Sequence, residues 1–128
     1  MSRLALTFGS AGGLIGVIFG AFGAHALASV LSPNDLSTWQ TAVLYQFIHS
    51  IALLAAGLWS LLTPAKSLHI AIGAFILGIL IFSGSLYLLV ATDTRWLGAI
   101  TPIGGTAFIV GWIALFVTAW QTQTDKHS

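Results

Sequence analysis

Four stretches without a charged side chain, residues 4–27, 41–62, 68–91 and 97–120, constrain this chain more than any other feature. Each runs for about 20 residues or slightly more, enough to cross ~30 Å of hydrocarbon as a helix. They are continuously apolar and do not alternate, which argues against the strands of a membrane barrel. Hydrophobic residues make up 57% of the chain and charged residues 5%, too little polar surface to cover a soluble globule. Arg3, Asp35, Lys66, Asp93, Arg95, Asp125 and Lys126 all lie outside the four runs, as expected if a charge at the bilayer centre costs ~3 kcal/mol. The predicted fold is therefore all-α: an integral membrane four-helix bundle, up-down-up-down, forming a single domain. Its helices are expected at about 4–27, 33–62, 68–91 and 97–120, followed by a polar, frayed tail over 121–128.

Arg3 before an apolar run and the small-x-small triplet Ala24-His25-Ala26 resemble a secretory signal. The run exceeds the usual ~7–15 apolar residues of such a signal and is read as the first helix. Near the helix ends, Arg3, Lys66 and Lys126 stand on one side and Arg95 on the other, so both termini are expected in the cytoplasm. Ser32 before Pro33, with Asp35 two residues on, is a helix start signal, and Trp39 is an interfacial anchor. Thr63-Pro64 ends the second helix, and either Thr92 or Asp93 is expected as a cap near Trp96. Without cysteine there is no disulfide, thiolate metal site or thiol catalysis.

Helix one carries Gly12, Gly16 and Gly20 at four-residue spacing, continued by Ala24, a small-residue ridge suited to close packing in lipid. Its partner is expected to be a helix of the same or a neighbouring copy. His25 lies about 180° around the helix from Gly16, so ridge and histidine cannot face one partner. This points to a homo-oligomer or to a boundary histidine near the outer surface, with a loop or helix as partner. Helix two holds the densest polar group, "YQFIHS": Tyr45 and His49 are one turn apart, and Gln46 and His49 are neighbours at i,i+3. Helix three contributes Ser83, Gly84 and Tyr87 on one face. In helix four, Pro102 with Gly104-Gly105 predicts either a kink or a helix that starts at Pro102 with Thr101 as its cap. In the up-down-up-down order, His25, Tyr45, Gln46, His49, Ser83, Ser85, Tyr87, Thr101 and Thr106 all fall from the midplane outward, predicting one polar cluster near the outer face.

The stretches "GAFGAHAL", "YQFIHSIALLAAG", "FSGSLYLL" and "ITPIGGTAFIVGW", in this order and spacing, closely resemble the family called domain of unknown function 423, small bacterial inner-membrane proteins with animal relatives named transmembrane protein 256. The resemblance covers nearly the whole chain and implies a four-helix inner-membrane protein. It brings no reaction and no residue roles. Gly23, His25, Gln46, His49, Ser83, Gly84, Tyr87, Pro102, Gly104, Gly105 and Trp112 are the positions that match the motifs.

Three function classes follow. The first is a non-enzymatic homo-oligomer whose outer-leaflet cluster binds a small ligand, a lipid or a permeating species. Its candidate ligand residues are His49, Gln46, Tyr45, Ser83, Tyr87, Thr101 and His25; Gly12, Gly16, Gly20, Gly84, Gly104 and Gly105 are assigned to helix packing. The second makes His25 and His49 ligands of haem or a divalent metal, since neutral imidazoles suit such ligation. The third is an enzyme acting on a lipid or quinone with His49 as base; no carboxylate within the spans could orient it, and no catalytic residue is assigned. The four scattered basic residues and a net charge of +1 give nucleic-acid binding no support.

Overall fold

The computed structural model describes the backbone of residues 1–127 and the side chains of residues 1–122. Its long helices are α1 (Ser2–Leu27), α2 (Pro33–Leu62), α3 (Lys66–Thr92) and α4 (Thr101–His127), the last preceded by a 3-10 turn over Arg95–Ala99. All four spans are long and apolar enough to cross a membrane. Helix α1 passes through a π-helical stretch at Ile18–Gly23 and α3 through another at Ile79–Ser83. Neither was foreshadowed by the apolar pattern, which does not distinguish a π turn from an α turn.

The helix ends follow local chemistry. Ser32 Oγ accepts the backbone N–H of Asp35 at 3.2 Å with Pro33 in the first turn, the expected cap. Asp35 does not complete a reciprocal capping turn; its carboxylate takes both guanidinium nitrogens of Arg95, at 3.0 and 3.3 Å. Asp93 ends α3 at φ 53°, a left-handed conformation that aspartate tolerates better than most residues. Helix four starts afresh at Thr101 and is not one kinked helix: residues 97–99 belong to the 3-10 turn, Ile100 follows it, and Pro102 occupies the first turn, where its missing N–H leaves no bond unmade. Thr101 is not its cap, because its hydroxyl pairs with Ser85 Oγ at 2.6 Å and reaches the Leu97 carbonyl at 3.4 Å. The expected frayed tail over 121–128 is instead helical backbone as far as His127, with Thr122 bonded to the Thr118 carbonyl; the side chains beyond Thr122 lie outside the described ones.

The four helices form a bundle with a definite inner and outer pair. Helices α2 and α3 meet at the centre, α1 packs along α2, and α4 packs along α3, whereas α1 and α4 share no packed interface among the described residues. The glycine ridge makes the first seam within one chain. A Cβ on Gly9 would lie 2.8 Å from the Ser50 carbonyl oxygen, on Gly16 2.9 Å from the Phe47 ring, and on Gly20 3.0 Å from Val43; on Gly12 it would overlap Ser50 Oγ. At the second seam a Cβ on Gly104 would run into the backbone of Phe82, one on Gly78 into the Phe108 ring, and one on Gly111 would lie 2.5 Å from the Phe75 ring. Two expected packing glycines do not act this way. Gly84 meets nothing within 4 Å, and Gly105 only Phe82 at 3.9 Å. The apolar core, with Leu53, Leu68, Ile72 and Phe75 fully buried, sits toward the end that carries both termini.

These approaches rank glycine substitutions. Gly104→Ala is expected to lower the unfolding free energy by about 1 to 3 kcal/mol, because the Phe82 backbone cannot move aside as a side chain can. Gly84→Ala should leave it unchanged or raise it by up to about 1 kcal/mol through helix propensity. Circular dichroism during SDS titration of mixed micelles measures both.

Candidate functional site

Gln46 and His49 differ by 60° around α2, yet they reach toward different helices. The single polar cluster expected from the sequence is accordingly two sites on different faces of α2. Gln46 is 4% exposed and joins three helices: its Nε2 donates to the Gly12 carbonyl of α1 at 2.8 Å, and its Oε1 accepts from the Tyr87 hydroxyl of α3 at 2.7 Å. Ser83, also buried, donates to the Ala42 carbonyl of α2 at 2.8 Å. Its neighbour Ser85 turns to Thr101, so the two hydroxyls tie α3 to α2 and to α4 in turn. Toward the Trp39 end, the rings of Phe19, Trp39 and Tyr87 cluster at 4.8–5.4 Å, and Trp39 Nε1 donates to the Phe19 carbonyl at 2.9 Å. That carbonyl lies in the π stretch of α1 and also accepts the Ala24 N–H. Between α1 and α3 a groove of about 390 Å³ runs past Phe8, Ile15, Phe19, Ile79 and Leu80, with Gln46, Ser83 and Tyr87 in its wall and both π stretches on its rim. Its polar groups are already bonded to one another or to backbone.

His49 faces α4. Trp112 Nε1 can only donate, and it lies 3.0 Å from His49 Nε2, so that nitrogen is the acceptor. The proton of the neutral ring then sits on Nδ1, 2.7 Å from the Tyr45 carbonyl, which can only accept. Both imidazole nitrogens are engaged. The ring lies nearly parallel to Phe108, 3.5 Å between centroids and 11° between planes, and nearly parallel to Tyr45 at 6.0 Å and 11°. Tyr45 and Phe108 are themselves 22° from parallel at 6.1 Å. A second groove, about 580 Å³, opens between α2 and α4 against these rings, lined also by Phe82, Pro102, Gly105, Thr106 and Ile109. Tyr45 is 37% exposed, and its hydroxyl makes no hydrogen bond among the described residues.

The remaining sequence-predicted residues lie elsewhere. Thr101 sits between α3 and α4 and lines neither groove. His25, in the last turn of α1, is exposed and has no partner among the described residues, against the expectation of a loop or helix contact. The cause is geometric: α2 occupies the opposite, glycine face of α1, so Leu14, Ile18 and Phe22 beside His25 remain uncovered at 45–72% exposure. Sequence reasoning also missed Trp112 and Phe108 as the surroundings of His49. Their i,i+4 spacing on α4 puts both on one face and was the available signal. Ser50 Oγ is buried without a hydrogen bond among the described residues, held where a side chain on Gly12 would otherwise stand.

The description "Protein of unknown function (DUF423)" matches residues 19–105, a segment that contains Gln46, His49, Ser83 and Tyr87. A UPF0382 membrane protein of Staphylococcus aureus is 41% identical over 121 residues, covering 93% of this chain and 97% of its own. UPF0382 membrane protein YwdK of Bacillus subtilis is 40% identical over 118 residues, covering 91% and 96%. A UPF0382 membrane protein of Haemophilus influenzae is 39% identical over 124 residues, covering 97% and 99%. No solved structure matches the chain. With two thirds of its length inside the family segment and relatives similar from end to end, the chain belongs to the DUF423 family, whose relatives here are membrane proteins.

Proposed function

We propose that this is a non-enzymatic membrane protein that holds a neutral small molecule of the bilayer in the groove between α2 and α4. The observation that carries the reading is the Tyr45 hydroxyl: a donor without a partner among the described residues, in a groove of about 580 Å³ whose lining is aromatic and apolar apart from Thr106. A polar group left unbonded in hydrocarbon is costly, so an acceptor brought by a ligand is favoured there. Pockets with apolar walls and few polar groups are the usual form of small-molecule sites. The groove between α1 and α3 is the weaker site, since Gln46, Ser83 and Tyr87 already satisfy one another or backbone and serve as struts.

The alternatives lose support on specific atoms. A base or metal ligand needs a free imidazole nitrogen, and both nitrogens of His49 are bonded. His25 stands at the end of α1, with no group of three metal-binding side chains among the described residues. Permeation through the α1–α3 groove is opposed by the Phe19, Trp39 and Tyr87 rings across its end. The glycine ridge no longer argues for a homo-oligomer because α2 fills it. Association of copies would use other surfaces, such as the outward face of α1 at Gly13, where a Cβ meets nothing within 4 Å. Placement in a bacterial cytoplasmic membrane with both termini inside rests on Arg3 and Lys66 at one end, against Arg95 held by Asp35 and Asp93 at the other.

Gly105→Leu should fill the α2–α4 groove, since a Cβ there meets only Phe82 at 3.9 Å. In polymer-excised native nanodiscs analysed by mass spectrometry, wild type should retain a small hydrophobic molecule that Gly105→Leu loses and Gly84→Leu, in the other groove, keeps. Identical contents in all three would refute the reading. In SDS unfolding, a double-mutant cycle of His49→Phe and Trp112→Phe is expected to give a coupling of about 0.5 to 1.7 kcal/mol, the range of interhelical hydrogen bonds in lipid. A carboxy-terminal reporter should be active only when facing the cytoplasm; activity in its exported form would reverse the orientation.

A further inference from the structure

We infer that the molecule held between α2 and α4 is a planar conjugated carbonyl compound with an apolar tail, of the prenylquinone class, its carbonyl oxygen accepting the Tyr45 hydroxyl. The inference rests on the ligand-binding reading above and specifies its occupant.

Three features of the groove select this class. The first is shape. The Tyr45 ring, 37% exposed, is the aromatic surface the groove offers, while the His49 and Phe108 rings stack on each other at 3.5 Å and are buried, and an exposed aromatic ring packs well against another flat ring. Flexible alkyl chains gain no comparable advantage from it.

The second is polarity. No charged side chain lines the groove, so a carboxylate or phosphate head would be left unpaired in hydrocarbon, whereas a neutral carbonyl needs only one donor. Tyr45 supplies that donor. The indole N–H of Trp112 is already given to His49, and the Thr106 hydroxyl donates to the Pro102 carbonyl.

The third is depth. Tyr45 lies six residues below Trp39 on α2, about 9 Å by helical rise, and its side chain leans back toward the Trp39 end. Trp112 borders the groove about 15 Å further along α4 than Pro102. A ring held at Tyr45 thus leaves a lengthwise path past Ile48, Ile109 and Trp112 for an apolar tail toward the bilayer centre.

The test uses the full chain in nanodiscs at fixed lipid content, with decylubiquinone as probe and methyl palmitate as a carbonyl compound of similar apolar length without a ring. Binding is read by native mass spectrometry and by quenching of intrinsic tryptophan fluorescence. Decylubiquinone should bind saturably, one per chain, with little displacement by methyl palmitate at equal mole fraction. Tyr45→Phe, which keeps the ring and removes only the hydroxyl, should weaken it about tenfold, and Gly105→Leu should abolish it. Should Gly105→Leu fail to fold, Ile109→Trp narrows the same groove from a side chain that is 61% exposed. If methyl palmitate displaces the probe equally, or Tyr45→Phe binds as wild type does while the groove-filling variants still block, the quinone assignment is wrong and the groove remains a ligand site. If the groove-filling variants bind as wild type, both the assignment and the ligand-binding reading fall.

Discussion

Close backbone approach between α1 and α2 is the contact from which the rest of the architecture follows. In lipid, apolar side chains gain little by leaving one apolar surface for another, so helices associate through dispersion and hydrogen bonds made at short range. Gly9, Gly12, Gly16, Gly20 and Gly23 remove side chains along α1, and Ser50, Phe47, Val43 and Trp39 of α2 enter the space they leave. Only at that separation can the Gln46 amide reach the Gly12 carbonyl at 2.8 Å. The hydrogen bond is a consequence of the glycines, and it then fixes the depth at which α1 meets α2.

A second seam built on the same principle joins α3 to α4, where rings fit glycine notches in both directions: Phe108 over Gly78, and Phe75 over Gly111. Two tight pairs joined through α2 and α3 cannot also bring α1 against α4. This produces grooves along both flanks rather than a closed square of helices. The π stretches at Ile18–Gly23 and Ile79–Ser83 belong to the same compromise. Each inserts extra backbone into its turn, and the carbonyl of Phe19, inside the first stretch, meets Trp39.

The sequence was legible where one dominant free energy decides. Charge exclusion from hydrocarbon placed the four spans, and Ser32-Pro33 marked the start of α2 because cap chemistry is local. The ridge on α1 was readable as an interface, but its occupant was not, since four-residue glycine spacing says how close a helix comes without saying which one. For the candidate site, the helix-two residues Tyr45, Gln46 and His49 lie along grooves of the bundle, but on two different faces and not in one cluster. Residues three apart on a helix are neighbours in projection, but the direction each long side chain takes depends on α1, α3 and α4, which local spacing does not encode. The partnership of His49 with Trp112, 63 residues away, is of that kind. Gly84 and Gly105 looked like packing positions because glycine in lipid usually is one; here the helices diverge beside them and leave open space.

The different chemistry of the two grooves follows from which polar groups the packing saturates. Along α1–α3, every strong donor has an acceptor on another helix or on backbone, so Gln46, Ser83 and Tyr87 are committed to holding the bundle together. Along α2–α4, Trp112 commits both nitrogens of His49 by fixing its tautomer, and the ring becomes a flat element of the wall, not a reactive group. Tyr45 stands outside this arrangement: its ring leans on Phe82, at 4.6 Å between centroids, and its hydroxyl makes no hydrogen bond among the described residues. In water such a group would be unremarkable. Inside a bilayer a hydroxyl without a protein partner is costly unless water, lipid or a bound molecule supplies an acceptor.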